Sequence, residues 1–202
     1  MNIGVLGAGE VGGTIGRKLA ALGHTVMVSS RHPEAIGRDF AGVENLSVGT
    51  PQEAAAQGEW LINALPGEGT IDVLRSCAVD GKILIDISNY MSAVDQPIEI
   101  PLGEAIQRAF PSVRLVKTLN SVSAHLMVDP GHLKGRHQVF IASNDEPAKR
   151  QVTSLLRDFG WSEVIDLGGL DACRAMEQLI PLWMQLEEKL GGPNFNLAVV
   201  RE

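Results

Sequence analysis

Several things are scarce or missing in this chain, and each absence narrows what it can be. Cysteine occurs only twice in 202 residues, at Cys77 and Cys173, far apart and without metal-ligand spacing. That excludes a disulfide framework and gives no sign of a zinc site, leaving two thiols expected to be free and buried. Basic residues are outnumbered, 17 Lys and Arg against 24 Asp and Glu, for a net charge of −7. An acidic surface of this kind draws neither nucleic acid nor an anionic membrane, although Arg17, Lys18 and Arg31 can still meet an anionic cofactor locally. No apolar run approaches the roughly 18 residues of a membrane span, and no charged leader precedes an apolar segment, so the cytoplasm is the expected compartment. Aromatic residues are few, at 4%. No HExxH, GxSxG or P-loop pattern occurs, and there is no internal repeat, low-complexity tract or obvious linker.

What is present begins at the amino terminus. Residues 1–6 read as a buried strand that runs straight into Gly7-Ala8-Gly9-Glu10-Val11-Gly12. In this GxGxxG pattern Gly7 makes the tight turn, Gly9 lets backbone approach a pyrophosphate, and Gly12 lets the next helix pack on the sheet. A helix over 11–22 and a second strand over 24–29 complete the unit, and the helix start offers free N–H groups to phosphate. The alternative is an ordinary glycine-rich turn between a strand and a helix.

An NAD-binding unit usually carries Asp or Glu at the end of the second strand, where it holds the ribose 2′-OH. This chain has Ser29-Ser30-Arg31-His32 there. With no carboxylate to repel a 2′-phosphate, and a guanidinium able to stack on adenine or fork onto phosphate oxygens, NADP(H) is favoured. The plainer reading of Arg31 is a solvated arginine in a loop.

The rest alternates strand and helix in the manner of a parallel sheet covered on both faces. Strands are expected over 45–48, 60–65, 82–87 and 113–117, an antiparallel or edge strand over 138–142, and a last strand over 163–167. Helices are expected over 51–57, capped by Thr50 with Pro51 at its first position, and over 71–77, 102–110 and 147–159. A loop is expected at 66–69 and a polar excursion over 92–101. The strand exits 7–12, 30–32, 64–67, 88–90 and 118–123 should line one cleft, because open sheets of this kind place ligands beyond their carboxyl ends. A final helix over 170–190 carries Met176, Leu179, Ile180, Trp183, Leu186 and Leu190 at helical spacing, a face read as mostly core. Pro181 should kink it, leaving the Glu177 carbonyl without its donor.

These motifs resemble one family. The glycine loop, the Ser30-Arg31 pair, the Asp86-Ile87-Ser88-Asn89 exit, Lys117-Thr118-Leu119-Asn120, Gln138-Val139-Phe140 with its Asn144-Asp145 turn, and a terminal helix with Glu177 and Pro181 are similar to the coenzyme F420-dependent NADP oxidoreductases. The reductase domain of the STEAP metalloreductases is similar in the same places. The resemblance implies an α/β fold, a Rossmann doubly wound and mostly parallel sheet with a small C-terminal α/β extension. It makes 1–202 one NADP-binding domain, with 135–202 a small subdomain packed on it. It implies direct hydride transfer from NADPH to a flavin-like ring, with coenzyme F420 or a flavin as co-substrate.

Carried over residue by residue, Gly7, Gly9, Glu10, Val11 and Gly12 would hold the pyrophosphate, and Ser30 with Arg31 the 2′-phosphate. Ala64, Leu65 and Pro66 would border the ribose, while Asn89, Asn120 and Ala124 would approach the nicotinamide. Lys134, Arg136 and His137 are candidates for a polyanionic acceptor tail, or simply a solvated turn. Hydride transfer needs no side-chain nucleophile, so no catalytic residue is assigned; His125 and Ser123 are the proton-transfer candidates. An NADPH-dependent reductase of a small carbonyl, imine or quinone, and a non-catalytic NADP(H)-sensing module, are the alternatives. An apolar face on the terminal helix could also build a homodimer.

Overall fold

In the computed structural model, residues 1–91 and 98–201 are described. Most of the expected 92–101 excursion, residues 92–97, lies outside them. The apolar, β-branched runs form eight strands: β1 (Asn2–Leu6), β2 (Thr25–Ser29), β3 (Leu46–Gly49), β4 (Trp60–Asn63), β5 (Ile83–Asp86), β6 (Arg114–Thr118), β7 (Val139–Ala142) and β8 (Val164–Asp166). They make one sheet in the order β3-β2-β1-β4-β5-β6-β7-β8. Every neighbouring pair is parallel except β6 with β7. The chain is therefore an α/β protein with a Rossmann-type, mostly parallel sheet, and its strand order reverses direction between β1 and β4, where such sheets open a crevice.

Alternation along the strands divides the core in two. Ile3, Val5, Ile62, Ile85 and Val116 face one side, under α1 (Glu10–Ala21), α6 (Ala124–Val128) and α7 (Glu146–Asp158). Leu6, Leu61, Leu84 and Leu115 face the other, under α3 (Pro51–Gln57) and α5 (Leu102–Ala109). Local chemistry sets the helix ends. Thr50 accepts from the Glu53 amide at 3.2 Å while the Glu53 carboxylate accepts from the Thr50 amide at 2.7 Å, a reciprocal capping box. Asp145 caps α7 by accepting from the Ala148 amide at 2.8 Å.

The register lines up one residue per strand along the carboxyl edge of the sheet. Gly49, Ser29, Leu6, Asn63, Asp86 and Lys117 are successive partners. Four of the six are polar and all four are fully buried. Directly beyond this row the chain leaves the sheet at Gly7, Ser30, Ala64 and Ile87.

Three expectations are corrected. The chain over 170–190 is not one kinked helix: a 3-10 turn (Leu170–Ala172) leads into α8 (Cys173–Glu177), and α9 (Ile180–Leu190) starts afresh. Pro181 sits in the first turn of α9, where a missing N–H breaks no helical bond. Of the expected apolar face, Met176 and Ile180 are buried but Leu190 is 63% exposed, so that face is only partly core. The loop expected at 66–69 is shorter, because α4 (Gly67–Arg75) begins at Gly67, whose amide donates to the Asn89 carbonyl at 3.1 Å. Cys173 is buried as expected, whereas Cys77 is only half-buried. Among the described residues, no helix is long and apolar enough to cross a membrane, and no cluster of His, Cys, Asp or Glu could hold a metal ion.

Candidate functional site

A cleft of about 780 Å³ opens along the carboxyl edge of the sheet, lined by the exits of β1, β2, β4 and β5. At the β1 exit, Gly7 has φ +105, and a Cβ there would come within 2.7 Å of the Ala64 carbonyl oxygen. Its amide donates to the buried Ser29 hydroxyl at 3.2 Å, which ties the turn to the neighbouring strand. Gly9 is different: a Cβ there would meet nothing within 4 Å. Its missing side chain leaves space in the cleft rather than room for the fold. Gly9 also precedes α1 without capping it through a side chain, so Glu10 and Val11, at the helix start, line the cleft with that end of the helix dipole.

At the β2 exit, Ser30 and Arg31 line the cleft together with Ile36 from α2 (Pro33–Ile36) and Pro51 at the start of α3. The Ser30 hydroxyl accepts from the His32 amide at 3.0 Å, which leaves its own proton uncommitted. Arg31 is exposed and makes no hydrogen bond or ion pair among the described residues. Arg17, by contrast, is occupied, donating to the Asp39 carbonyl at 2.8 Å and lying 4.5 Å over the Phe40 ring.

Ala64, Leu65 and Pro66 form the middle of the cleft, and Ser88, Asn89 and Met91 its far end. Asn89 donates to the backbone carbonyl of Asn120 at 2.7 Å and accepts from the Asn120 carboxamide at 3.0 Å. Eleven of the thirteen residues expected in the site, from Gly7 to Asn89, thus lie on one surface. Asn120 and Ala124 do not line it. Asn120 is buried behind Asn89 and Ala124 is buried at the start of α6.

The proton-transfer candidates are engaged elsewhere. Ser123 donates to the Pro193 carbonyl at 2.5 Å, and the His125 ring meets the Asn194 side chain at 2.7 Å. Of the candidates for an anionic tail, Arg136 is ion-paired with Glu163, and His137 is held between the Pro130 carbonyl and Asn196; Lys134 is exposed. None of the three lines the cleft.

One arrangement escaped the sequence reading. Beneath the Ser88 exit, Lys117 lies 2.8 Å from Asp86 and 3.1 Å from Glu177, with all three side chains fully buried. Burial alone pushes Lys117 down, but Asp86 and Glu177 outweigh it and hold the ammonium above its ordinary value. The two carboxylates also join burial in raising Tyr90, next to the exit. The available signal was a charged residue near the end of each strand, Asp86 closing the apolar β5 and Lys117 following Leu115 and Val116 in β6; nothing local connects either to Glu177.

Comparison with known proteins gives a consistent set of relatives. The family described as NADP oxidoreductase, coenzyme F420-dependent, matches residues 2–90. The F420-dependent NADP reductase of Methanothermobacter marburgensis is 30% identical, across 94% of this chain and 93% of that protein. Human metalloreductase STEAP2 is 32% identical across 89% of this chain, which spans 36% of that longer protein. Among solved structures, a putative F420-dependent NADP reductase from Arthrobacter superposes with a TM-score of 0.90 and 39% identity, each chain covered completely. An imine reductase from Aspergillus terreus, 14% identical, shares the fold over 94% of this chain and 61% of its own, with a TM-score of 0.65.

Proposed function

The chain belongs to the family of coenzyme F420-dependent NADP oxidoreductases, and on that premise we propose that it transfers a hydride between NADPH and a flavin-like acceptor such as coenzyme F420. That it is an NADP oxidoreductase follows from the family; the acceptor and the residue assignments are our reading. The single observation that carries it is the free Arg31 beside Ser30, placed where a carboxylate would otherwise select NAD. From there the cleft runs without interruption past the glycine turn to Asn89.

The residues present fit the cofactor. Gly9 has open space where a side chain would stand. Gly7, Gly9, Glu10, Val11 and Gly12 would receive the pyrophosphate through backbone amides and the start of α1. Ser30 would donate its uncommitted proton, and Arg31 its fork, to the 2′-phosphate. Ala64, Leu65 and Pro66 would border the ribose, and Asn89, backed by Asn120, would face the nicotinamide. Asn89 spends one N–H and one lone pair on Asn120 and keeps one of each for a ligand. Ala124 stands behind that end. When bound, NADPH supplies the hydride; the protein's share is to hold the ring, orient it and exclude water. We read 135–202 as a small subdomain of one NADP-binding domain: β7 and β8 continue the same sheet, which supports one domain, and the antiparallel β6–β7 pairing supports setting the segment apart within it.

The test is anaerobic oxidation of NADPH by the purified protein with coenzyme F420, FMN, FAD and a quinone offered in parallel. Turnover with F420 or a flavin is the expected result. Tight NADPH binding with no turnover on any of the four would overturn the flavin-like acceptor.

A further inference from the structure

Three buried charges under the far end of the cleft call for an explanation, because a buried ion cluster is weak as a source of stability and an apolar trio of similar volume often serves as well. The Lys117 ammonium has three partners: the Asp86 carboxylate at 2.8 Å, the Ser88 carbonyl at 2.5 Å and the Glu177 carboxylate at 3.1 Å. It donates hydrogen bonds to Asp86 and Ser88 and is ion-paired with Glu177. Asp86 uses its other oxygen to accept from Asn63 at 2.8 Å and from the Ser88 amide at 3.2 Å. Glu177 accepts from the Leu102 and Gly103 amides at 2.7 and 3.0 Å, closing the start of α5. Ser88 is thus held at both its amide and its carbonyl, by two members of one ion cluster.

A second hold reaches the next residue from another direction. Asn120 donates from the same carboxamide nitrogen to the Met176 carbonyl at 2.9 Å and to Asn89 at 3.0 Å. Met176 is the neighbour of Glu177 on α8. That helix is itself clamped to the chain before α5, where Arg174 donates to the Ile98 and Glu99 carbonyls at 2.7 and 2.8 Å. Backbone and side chain of the 88–89 exit are therefore fixed by separate contacts that both return to α8.

We propose that Lys117, seated between Asp86 and Glu177, is a positioning residue for the nicotinamide end of the cleft: it fixes Ser88 and, with α8 and Asn120, presents the free N–H and lone pair of Asn89 in one orientation. The inference rests on the reading that Asn89 faces the nicotinamide. It assigns the cluster to orientation of the ring and gives it no share in holding the adenosine end, which the β1 and β2 exits form.

Two variants test it. Glu177→Gln keeps the shape and removes one charge; Lys117→Met with Glu177→Gln keeps the cluster's net charge at the parent value. Each is titrated with NADPH and with 2′,5′-ADP, which carries the 2′-phosphate but no nicotinamide, and the fluorescence anisotropy decay of bound NADPH is recorded to follow the ring. Both should bind 2′,5′-ADP as the parent does, bind NADPH about tenfold more weakly, the worth of one misplaced hydrogen bond, and show a fast ring rotation absent from the parent. A ring as rigid as the parent's, with NADPH affinity unchanged and only the unfolding temperature lowered, would reduce Lys117 to a structural role and overturn the proposal. Should these variants not fold, Asn120→Ala cuts the second hold without touching the charges and carries the same expectation. Asn89→Ala separates the two layers. If it leaves the ring signal unchanged, the reading of Asn89 falls and the inference with it. If it frees the ring and the other variants do not, the inference alone falls.

Discussion

Gly12 rests directly on Gly7: a methyl group added to Gly12 would lie 2.0 Å from the Gly7 carbonyl oxygen, far inside any allowed contact. The obstacle is backbone, held by the Ser29 hydroxyl, and cannot swing aside. Gly12→Ala should therefore destabilise the fold by about 1–3 kcal/mol or more, visible as a lower unfolding midpoint. Gly9→Ala meets no such obstacle and should unfold close to the parent, yet lose NADPH affinity by about 10–100-fold as phosphate contacts are blocked. Calorimetric titration beside a thermal melt checks the pair. Equal melting losses for both would contradict the division of labour between these glycines.

Arg31 offers a test of cofactor choice. Arg31→Ala should weaken NADPH by about 10–100-fold, as expected for lost charge-assisted hydrogen bonds, and leave NADH nearly unaffected. Equal losses for the two nucleotides would remove the 2′-phosphate from Arg31.

Asp145 links stability to pH. Its hydrogen bond from Arg114, at 2.6 Å, and the Ala148 amide hold its carboxyl below the ordinary aspartate range. A carboxyl held low in the folded chain stabilises it above the unfolded pKa, and that stability is lost as pH falls through the folded value. Asp145→Ala should cost about 1–2 kcal/mol near neutrality as the α7 cap is lost. The gap between parent and variant should close in acid, as denaturant melts at several pH values would record.

The thiols should differ in reactivity. Burial pushes Cys173 up to about 12, and it packs against Gly103 inside the core. Burial also raises the Cys77 thiol, but that side chain is only half-buried and stays within reach of solvent. A disulfide reagent at neutral pH should label Cys77 slowly and Cys173 only after denaturation. Two thiols labelled in the native protein would show that the α5–α8 contact opens readily.

The parts of this structure legible in the sequence are those written over short distances. Thr50, Pro51 and Glu53 sit within one turn of each other and specify the start of α3 by themselves. The apolar runs of β1, β4 and β5 and the glycine pattern after β1 are equally local, and eleven residues of the expected site fell onto one surface because each follows its own strand. The reading failed where distant segments decide. Pro181 signals a kink or a helix start with equal force, and the Glu177 side chain just before the break is held by Lys117 and the start of α5, far away in sequence. Asn120 follows a strand exit as its partners do, but its carboxamide is turned to the Met176 carbonyl, 56 positions later in the chain. No window of residues contains both.

Lys117 and Glu177 touch in the folded chain but are far apart in sequence, which sets the order in which their cluster is made. After β6 the chain stays at the cleft edge through Asn120 and α6, runs away along β7, returns along α7 and runs away again along β8 before the turn and helix at 170–177. A nascent chain that has just completed β6 already has the strands and glycine turn that line the cleft, whereas Lys117 still lacks Glu177 and the start of α5 lacks its carboxylate. Synthesis thus supplies the strands and the glycine turn before it supplies Glu177, the carboxylate that completes the Lys117 cluster beneath the Ser88 exit.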